Sequence, residues 1–268
     1  MSSENKKVSV IMGIYNCEKT LNDAINSIIN QSYQNWELIM CDDCSNDSTL
    51  KIANNYKNKY NNIHVVINKE NRGLAFSLNK CLEIASGDYI ARMDADDICF
   101  KDRFKIQVDF LNKNEEYHLV GSSMILFDEK GEKGIRYSKE IPTKEDIIKN
   151  NPYAHPTIMM RKKIYKELGG YTVSDRTRKG QDLDLWFRFY SKGFKGYNIQ
   201  QPLIKYHESM HDYKKRNIKS AIGFMKTMYF GYRINNVPFR KYIYILKPLV
   251  SAIIPNNLMY IYHKNKYN

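Results

Sequence analysis

The 268-residue chain carries no glycine-rich phosphate loop. No G-x-G-x-x-G follows its first apolar run, and no G-x-x-x-x-G-K-[ST] occurs anywhere. A nucleotide bound here must therefore have its phosphates neutralised by something other than a cradle of backbone N–H groups. Long apolar runs are missing too. No stretch of the length a bilayer requires is free of charge or proline, which excludes a clean transmembrane helix. Residues 1–7 (MSSENKK) are polar with no apolar run behind them, so no secretory signal is expected. Cysteine is scarce. Five residues without framework spacing point to a reducing, cytosolic setting. Cys41-Asp42-Asp43-Cys44 has redox-motif spacing, but its two central acids oppose thiolate formation, and no second pair exists to complete a zinc site.

Acids are the minority charge, 29 against 42 Lys and Arg, for a formal net of +13. The excess is concentrated at one end. From Lys205 to Asn268, twelve Lys or Arg stand against two acids, Glu208 and Asp212. A basic tail suits a polyanionic partner, either nucleic acid or an anionic membrane. No nucleic-acid recognition module accompanies the charge, so the membrane is the expected partner and nucleic acid is not.

What is present is a clean alternation over the first hundred residues. Val8–Tyr15, Trp36–Cys41, Ile63–Ile67 and Tyr89–Met93 read as strands, and Val8–Tyr15 is apolar throughout, as a strand covered on both faces requires. Between them, Leu21/Ala24/Ile25/Ile28/Ile29, Leu50/Ala53/Tyr56 and Leu74/Leu78/Leu82/Ala85 recur at helical spacing, and Phe104/Val108/Leu111 begin another helix. This predicts an α/β fold with right-handed crossovers and a mainly parallel central sheet flanked by helices. Beyond Lys113 the pattern predicts a strand over Leu119–Phe127, a turn over Asp128–Gly134 and a short helix over Lys144–Asn150. It further predicts a strand over His155–Met160, a helix over Lys163–Leu168 stopped by Gly169-Gly170, and a helix over Leu183–Tyr190.

Open sheets of this kind bind ligands beyond the carboxyl ends of their strands. Those ends carry Tyr15-Asn16, Asp42-Asp43 and Asp94-Ala95-Asp96-Asp97. Three acids in four residues repel one another, and one aspartate would suffice to cap the following helix. A hard divalent cation, Mg²⁺ or Mn²⁺, accounts for the excess, because it takes oxygen ligands from carboxylates and phosphates together. Asp94 and Asp96, two residues apart on extended backbone, point the same way.

These stretches, in this order, resemble the inverting family 2 glycosyltransferases of the GT-A, Rossmann-like fold. The markers are SVIMGIYN (Ser9–Asn16), NQSYQNWELIMCDDCSNDST (Asn30–Thr49), NRGLAFSLN (Asn71–Asn79), GDYIARMDADD (Gly87–Asp97) and GQDLDLW (Gly180–Trp186). The resemblance covers about residues 6–210. It implies a nucleotide-sugar donor, most often UDP-linked, with a nucleotide-sugar-binding half over 1–112 and an acceptor-binding half over 113–210. A basic helical C-terminal segment over 211–268 follows. Asp43 is then expected to accept from the base, Tyr15 to stack on it, and Arg72 to contact the nucleotide. Asp94 is expected at the ribose or metal-bound water, and Asp96 as the metal ligand on the diphosphate, with His207 nearby. Asp182 matches the family's catalytic base, which takes the proton of the acceptor hydroxyl. Gln181 stands where relatives commonly carry Glu, and with His155 it is expected at the acceptor. The implied acceptor is a glycan or lipid-linked oligosaccharide in bacterial surface-polysaccharide assembly. The alternatives are a silent nucleotide-sugar-binding protein, which Gln181 keeps open, and a basic nucleic-acid-binding protein, which the net charge keeps open.

Two further segments carry expectations. Thr172–Lys179 (TVSDRTRK) is polar, basic and aperiodic, which suits a mobile lid whose Arg176, Arg178 or Lys179 closes on phosphate. Tyr242–Ile261 is apolar but broken by Lys247, Pro248, Pro255 and Asn256-Asn257. It suits an interfacial segment on the inner face of the cell membrane, a broken helix pair packed back on the catalytic domain, or a self-association surface.

Overall fold

A computed structural model describes residues 5–208 and 217–254. The alternation read from the first hundred residues is realised almost residue for residue. Strands β1 (Val8–Ile14), β2 (Trp36–Asp42), β3 (Ile63–Ile67) and β4 (Tyr89–Arg92) alternate with helices α1 (Leu21–Ile29), α2 (Thr49–Lys59) and α3 (Leu74–Ile84). A two-residue strand, β5 (Ile98–Cys99), precedes α4 (Arg103–Lys113). β6 (Leu119–Asp128), β7 (Gly131–Arg136), β8 (Met159–Arg161), α5 (Lys162–Leu168), α6 (Gln181–Ser191) and β9 (Gly196–His207) follow. The chain continues through α7 (Ile218–Ile234), a 3-10 segment over Phe239–Leu246 and α8 (Lys247–Ile253).

All nine strands join one sheet in the order β3-β2-β1-β4-β8-β6-β9-β5, with β7 on the flank of β6. β3, β2, β1 and β4 are mutually parallel, so their carboxyl ends share one edge. β8 runs antiparallel between β4 and β6, β9 is parallel to β6, and β5 is antiparallel to β9. Side chains alternate across the strands as the two-residue period demands. Ile11, Ile39 and Ile90 face a core layer shared with α3, α5 and α6. Val10, Met12, Leu38, Met40 and Ala91 face the opposite layer, with α1 and α4.

Three local expectations change. Asp128–Gly134 is not a plain turn but the tip of a hairpin, because Gly131–Arg136 pairs with β6 as an exposed edge strand. An edge strand packs on one neighbour only and needs no apolar alternation. His155–Thr157 is a 3-10 turn, and only Met159–Arg161 joins the sheet. Pro156 lacks the N–H a central ladder requires. Lys144–Asn150 contributes a single 3-10 turn, Asp146–Ile148. β5 and β9 carry no periodic signal strong enough to be read, whereas α7 falls within the basic helical segment expected over 211–268. In β9 the pattern is broken by Pro202, where the register against β6 shifts.

The segment after α7 has two sides. Tyr242, Tyr244 and Ile245 lie against the core layer that includes α3, α5 and α6, whereas Phe239, Ile243, Leu246, Val250 and Ile253 are exposed. Residues 255–261 of the expected interfacial segment lie outside the described residues. No helix among the described residues is long and apolar enough to cross a membrane.

Candidate active site

The loops after β1 and β2 are bound to each other. Asn16 N donates to Ser45 Oγ at 3.1 Å, Asn46 N to Asn16 Oδ1 at 2.9 Å, and Cys17 N to Thr49 Oγ1 at 2.7 Å. Asn16 and Cys44 both hold positive φ, at 48° and 66°. Such backbone is uncommon outside glycine and persists where surrounding bonds fix it. Within this frame Asp43 is buried and accepts from Arg72 N at 2.9 Å, Gly73 N at 2.7 Å and Asn68 Nδ2 at 2.8 Å. A carboxylate has about four acceptor sites, so one remains on Oδ2. Gly73 has φ +86°, which admits glycine far more easily than any other residue. Asp42 pins the turn instead, with Oδ2 accepting from Ser45 N at 3.1 Å. Tyr15 is exposed at the end of β1, clear of the core. Arg72 is half exposed and lies over the Phe76 ring at 4.5 Å, with Glu70 3.2 Å from its Nη1.

The acidic cluster follows β4 on the same edge. Donor atoms of Asp94, Asp96 and Asp97 lie within 4.8 Å of one another. Asp97 is fully buried. Its Oδ1 accepts from His207 N at 2.9 Å, which ties the end of β9 to the cluster, and its Oδ2 has no partner. The His207 ring then lies with Nδ1 3.7 Å from Asp96 Oδ2. Burial and the neighbouring Asp94 push Asp96 up to about 6, against the pull of His207 and Arg92. Burial, then Asp94 and Asp96, raise Asp97 as well. An all-oxygen set with an unpartnered buried carboxylate oxygen fits a hard divalent cation.

Arg92 was visible in the sequence within ARMDADD but not singled out. It is 2% exposed, directly before the cluster, and forms an ion pair with Asp94. Its Nε and Nη1 have no hydrogen-bond partner. A second buried cation, Arg103, supports it by donating to the carbonyls of Arg92 at 2.8 Å and Ile158 at 3.3 Å. The signal that could have found Arg92 is an arginine in an otherwise apolar central strand, since such a charge is rarely buried without a counter-charge or a full set of acceptors.

Asp182 sits in the first turn of α6 and lines a cleft of about 810 Å³ together with Gln181. Asn151 Nδ2 donates to Asp182 Oδ2 at 2.7 Å. Burial raises the Asp182 pKa, while the Leu183 N–H and Asn151 act in the opposite direction. His155 does not line this cleft. It is buried, with Nε2 2.8 Å from Tyr171 Oη and its ring edge-on to Trp186. Burial and Arg92 keep it neutral. It belongs to a packed His–Tyr–Tyr group completed by Tyr165, 2.9 Å from Tyr171 Oη.

The expected lid is tied down rather than loose. Thr177 is buried, Ser174 and Thr177 close a capping box, and Thr227 Oγ1 of α7 donates to Arg176 O at 3.0 Å. Arg176 is not available to phosphate. It pairs with Asp184 at 2.5 Å, the same carboxylate that receives Arg188 Nε at 2.8 Å. The second acid of GQDLDLW is thus structural. Arg178 lies by the loop that carries Arg72 and Gly73, with Nη2 3.4 Å from Asn71 Oδ1.

The sequence profile described as "Glycosyl transferase family 2" matches residues 9–169. The chain belongs to that family. Among its curated relatives, "Putative glycosyltransferase EpsE" of Bacillus subtilis is 48% identical over 97% of this chain and 94% of that one. The Escherichia coli "UDP-Gal:alpha-D-GlcNAc-diphosphoundecaprenol beta-1,3-galactosyltransferase" is 31% identical over 98% of both. Among solved structures, a mannosyltransferase of Pyrobaculum calidifontis, crystallised with GDP-Man and Mn²⁺, superposes with a TM-score of 0.65 at 18% identity. That match covers 94% of this chain and 71% of the other. The α/β sheet described above is accordingly GT-A-like, and this family member is a glycosyltransferase.

Proposed function

We propose that the chain transfers a hexose or N-acetylhexosamine from a UDP-linked donor to a hydroxyl of a lipid-linked sugar, with inversion to a β-glycoside. The observation that carries this reading is convergence. The Asp43 pocket, the Asp94/Asp96/Asp97 cluster and the Asp182 cleft come from distant parts of the sequence to one edge of the sheet. The base lies over Tyr15 and against the open Oδ2 site of Asp43, with Arg72 beside it. Asp96 and Asp94, with His207 adjacent, would hold Mn²⁺ or Mg²⁺, which would supply positive charge to a departing diphosphate. Asp182 accepts the acceptor's proton as that oxygen attacks the anomeric carbon, and the sugar–phosphate bond breaks with its electron pair leaving on UDP. Gln181 hydrogen-bonds the acceptor. One relative's name supports the substrate class, UDP-galactose with a diphosphoundecaprenol-linked acceptor, and a fold neighbour crystallised with Mn²⁺ supports the choice of ion. The excess of Lys and Arg in the C-terminal segment supports a position at the inner face of the membrane.

The test is a transfer assay with a panel of nucleotide sugars, Mn²⁺ and a prenyl-diphosphate-linked sugar. A β-linked product is expected, and Asp182→Asn should bind donor normally while losing transfer. Donor binding without turnover on every acceptor would leave a nucleotide-sugar-binding protein. Wild-type transfer by Asp182→Asn would remove the base assignment.

A further inference from the structure

The cleft that ends at Asp182 is walled on its far side by the C-terminal segment. Lys247, Pro248, Ser251 and Ala252 of α8 line it. Its lining carries four cations, Lys149, Arg178, Lys179 and Lys247, against a single acid, Asp182. Lys247 is held at that wall, with Nζ donating to Lys149 O at 2.7 Å and 3.2 Å from Asn150 Oδ1. A neutral sugar does not call for this charge, whereas a phosphate does.

The other face of the same wall is apolar and open. Phe239, Ile243, Leu246, Val250 and Ile253 recur at spacings of four, three, four and three, and Phe239 and Ile253 are 85% and 71% exposed. From Ile218 to Ile254 the sequence has six Lys or Arg and no acid. An apolar stripe within an acid-free, cationic segment has the complement of an anionic bilayer surface, apolar residues entering the headgroup boundary and cations meeting the lipid phosphates. Of these cations Lys241 is paired with Glu145, and Arg240 and Lys247 lie within the same stretch of sequence as the stripe.

We propose that the Phe239–Ile253 segment is a wall shared by the acceptor cleft and the membrane. Its outer stripe seats in an anionic bilayer, and Lys247, with Lys149, holds the phosphate that joins the acceptor's sugar to its lipid. The acceptor's lipid tail then remains in the bilayer while its sugar reaches Asp182. This deepens the acceptor reading given above and rests on it.

Two binding measurements test the inference without donor or turnover, so their failure is separable from failure of the transfer reaction. In the first, the full chain is sedimented with phosphatidylcholine vesicles, with and without phosphatidylglycerol. Wild type should partition onto the anionic vesicles, and the V250E/I253E double variant should do so at least tenfold more weakly with an unchanged melting temperature. In the second, a water-soluble short-chain prenyl diphosphate is titrated calorimetrically. K247A and K149A should each weaken it several-fold, and V250E/I253E should leave it unchanged. Equal binding to neutral and anionic vesicles would overturn the proposal. So would vesicle binding indifferent to V250E/I253E, prenyl diphosphate binding indifferent to both lysines, or a dimer in light scattering that V250E/I253E dissolves.

Discussion

Arg92 sets a measurable competition at the acidic cluster. Arg92→Met keeps the length of the side chain and removes its charge. An ion pair at contact, in an effective dielectric of about 20, is worth about 4 kcal/mol. Nε and Nη1 of Arg92 are buried without partners, so deleting them returns roughly 1–3 kcal/mol of desolvation. The difference predicts that the metal-free variant is less stable by about 1–3 kcal/mol, a melting temperature lower by roughly 2–10 °C for a chain of this size. Metal affinity should move the other way. A divalent ion meets the same three carboxylates without the repulsion of Arg92 and without its claim on Asp94. Relief of only about 1.4 kcal/mol makes binding tenfold tighter. Differential scanning calorimetry of the metal-free protein and isothermal titration with Mn²⁺ alone measure both terms. An unchanged melting temperature together with weaker Mn²⁺ binding would rule out this competition. It would mean that Arg92 prepares Asp94 for the ion instead of competing for it.

Other outcomes follow from the same geometry. Asp182 must be ionised to accept a proton, and burial raises its pKa, so kcat should fall as pH drops through a midpoint above the ordinary 3.8. Asn151→Ala removes a bond that favours the ionised form and should move that limb to higher pH, which a pH–rate profile reads directly. Glu37 lies at the opposite end of the sheet. Burial alone would raise it, but Lys7, Ser9 and Ser86 prevail and hold it at about 2. Its folded pKa is depressed, so its contribution is present above the unfolded value near 4.5 and is lost as pH falls toward 2. Glu37→Gln should cost about 2–3 kcal/mol in urea unfolding at pH 7 and little at pH 2. Gly231 of α7 lies against Phe187, where an added Cβ would approach Cγ to within 2.2 Å. Gly231→Ala should therefore destabilise by about 1–3 kcal/mol despite its better helix propensity, and a thermal melt tests the sign.

The first hundred residues were legible because both signals there are strong: apolar strands buried on two faces, and helices with a single buried stripe. The acidic cluster was legible for the opposite reason, since three adjacent carboxylates violate what a strand end needs. His207 could be named, but what places it was hidden. The bond from its N–H to Asp97 spans 110 residues. Tertiary partners also decide what local pattern leaves open. Arg176 looked free for phosphate until Asp184 claimed it, and His155 looked like a cleft residue until Tyr171 and Trp186 enclosed it. β9 and the two-faced C-terminal wall depend on neighbours the sequence brings from far away, so their periodicity alone said little. Arg92 is the instructive omission, a charge whose meaning appears only when its burial is known.

In the proposed donor complex, carboxylates hold the diphosphate through a divalent ion. Calorimetric titration of UDP into the protein, with and without Mn²⁺, tests it most directly, using wild type and Asp96→Ala. The account predicts binding that Mn²⁺ strengthens at least tenfold in wild type, with that increment lost in Asp96→Ala and a weaker, metal-independent component through Asp43 retained. Equal UDP affinity with and without Mn²⁺, or a full Mn²⁺ increment in Asp96→Ala, would contradict it.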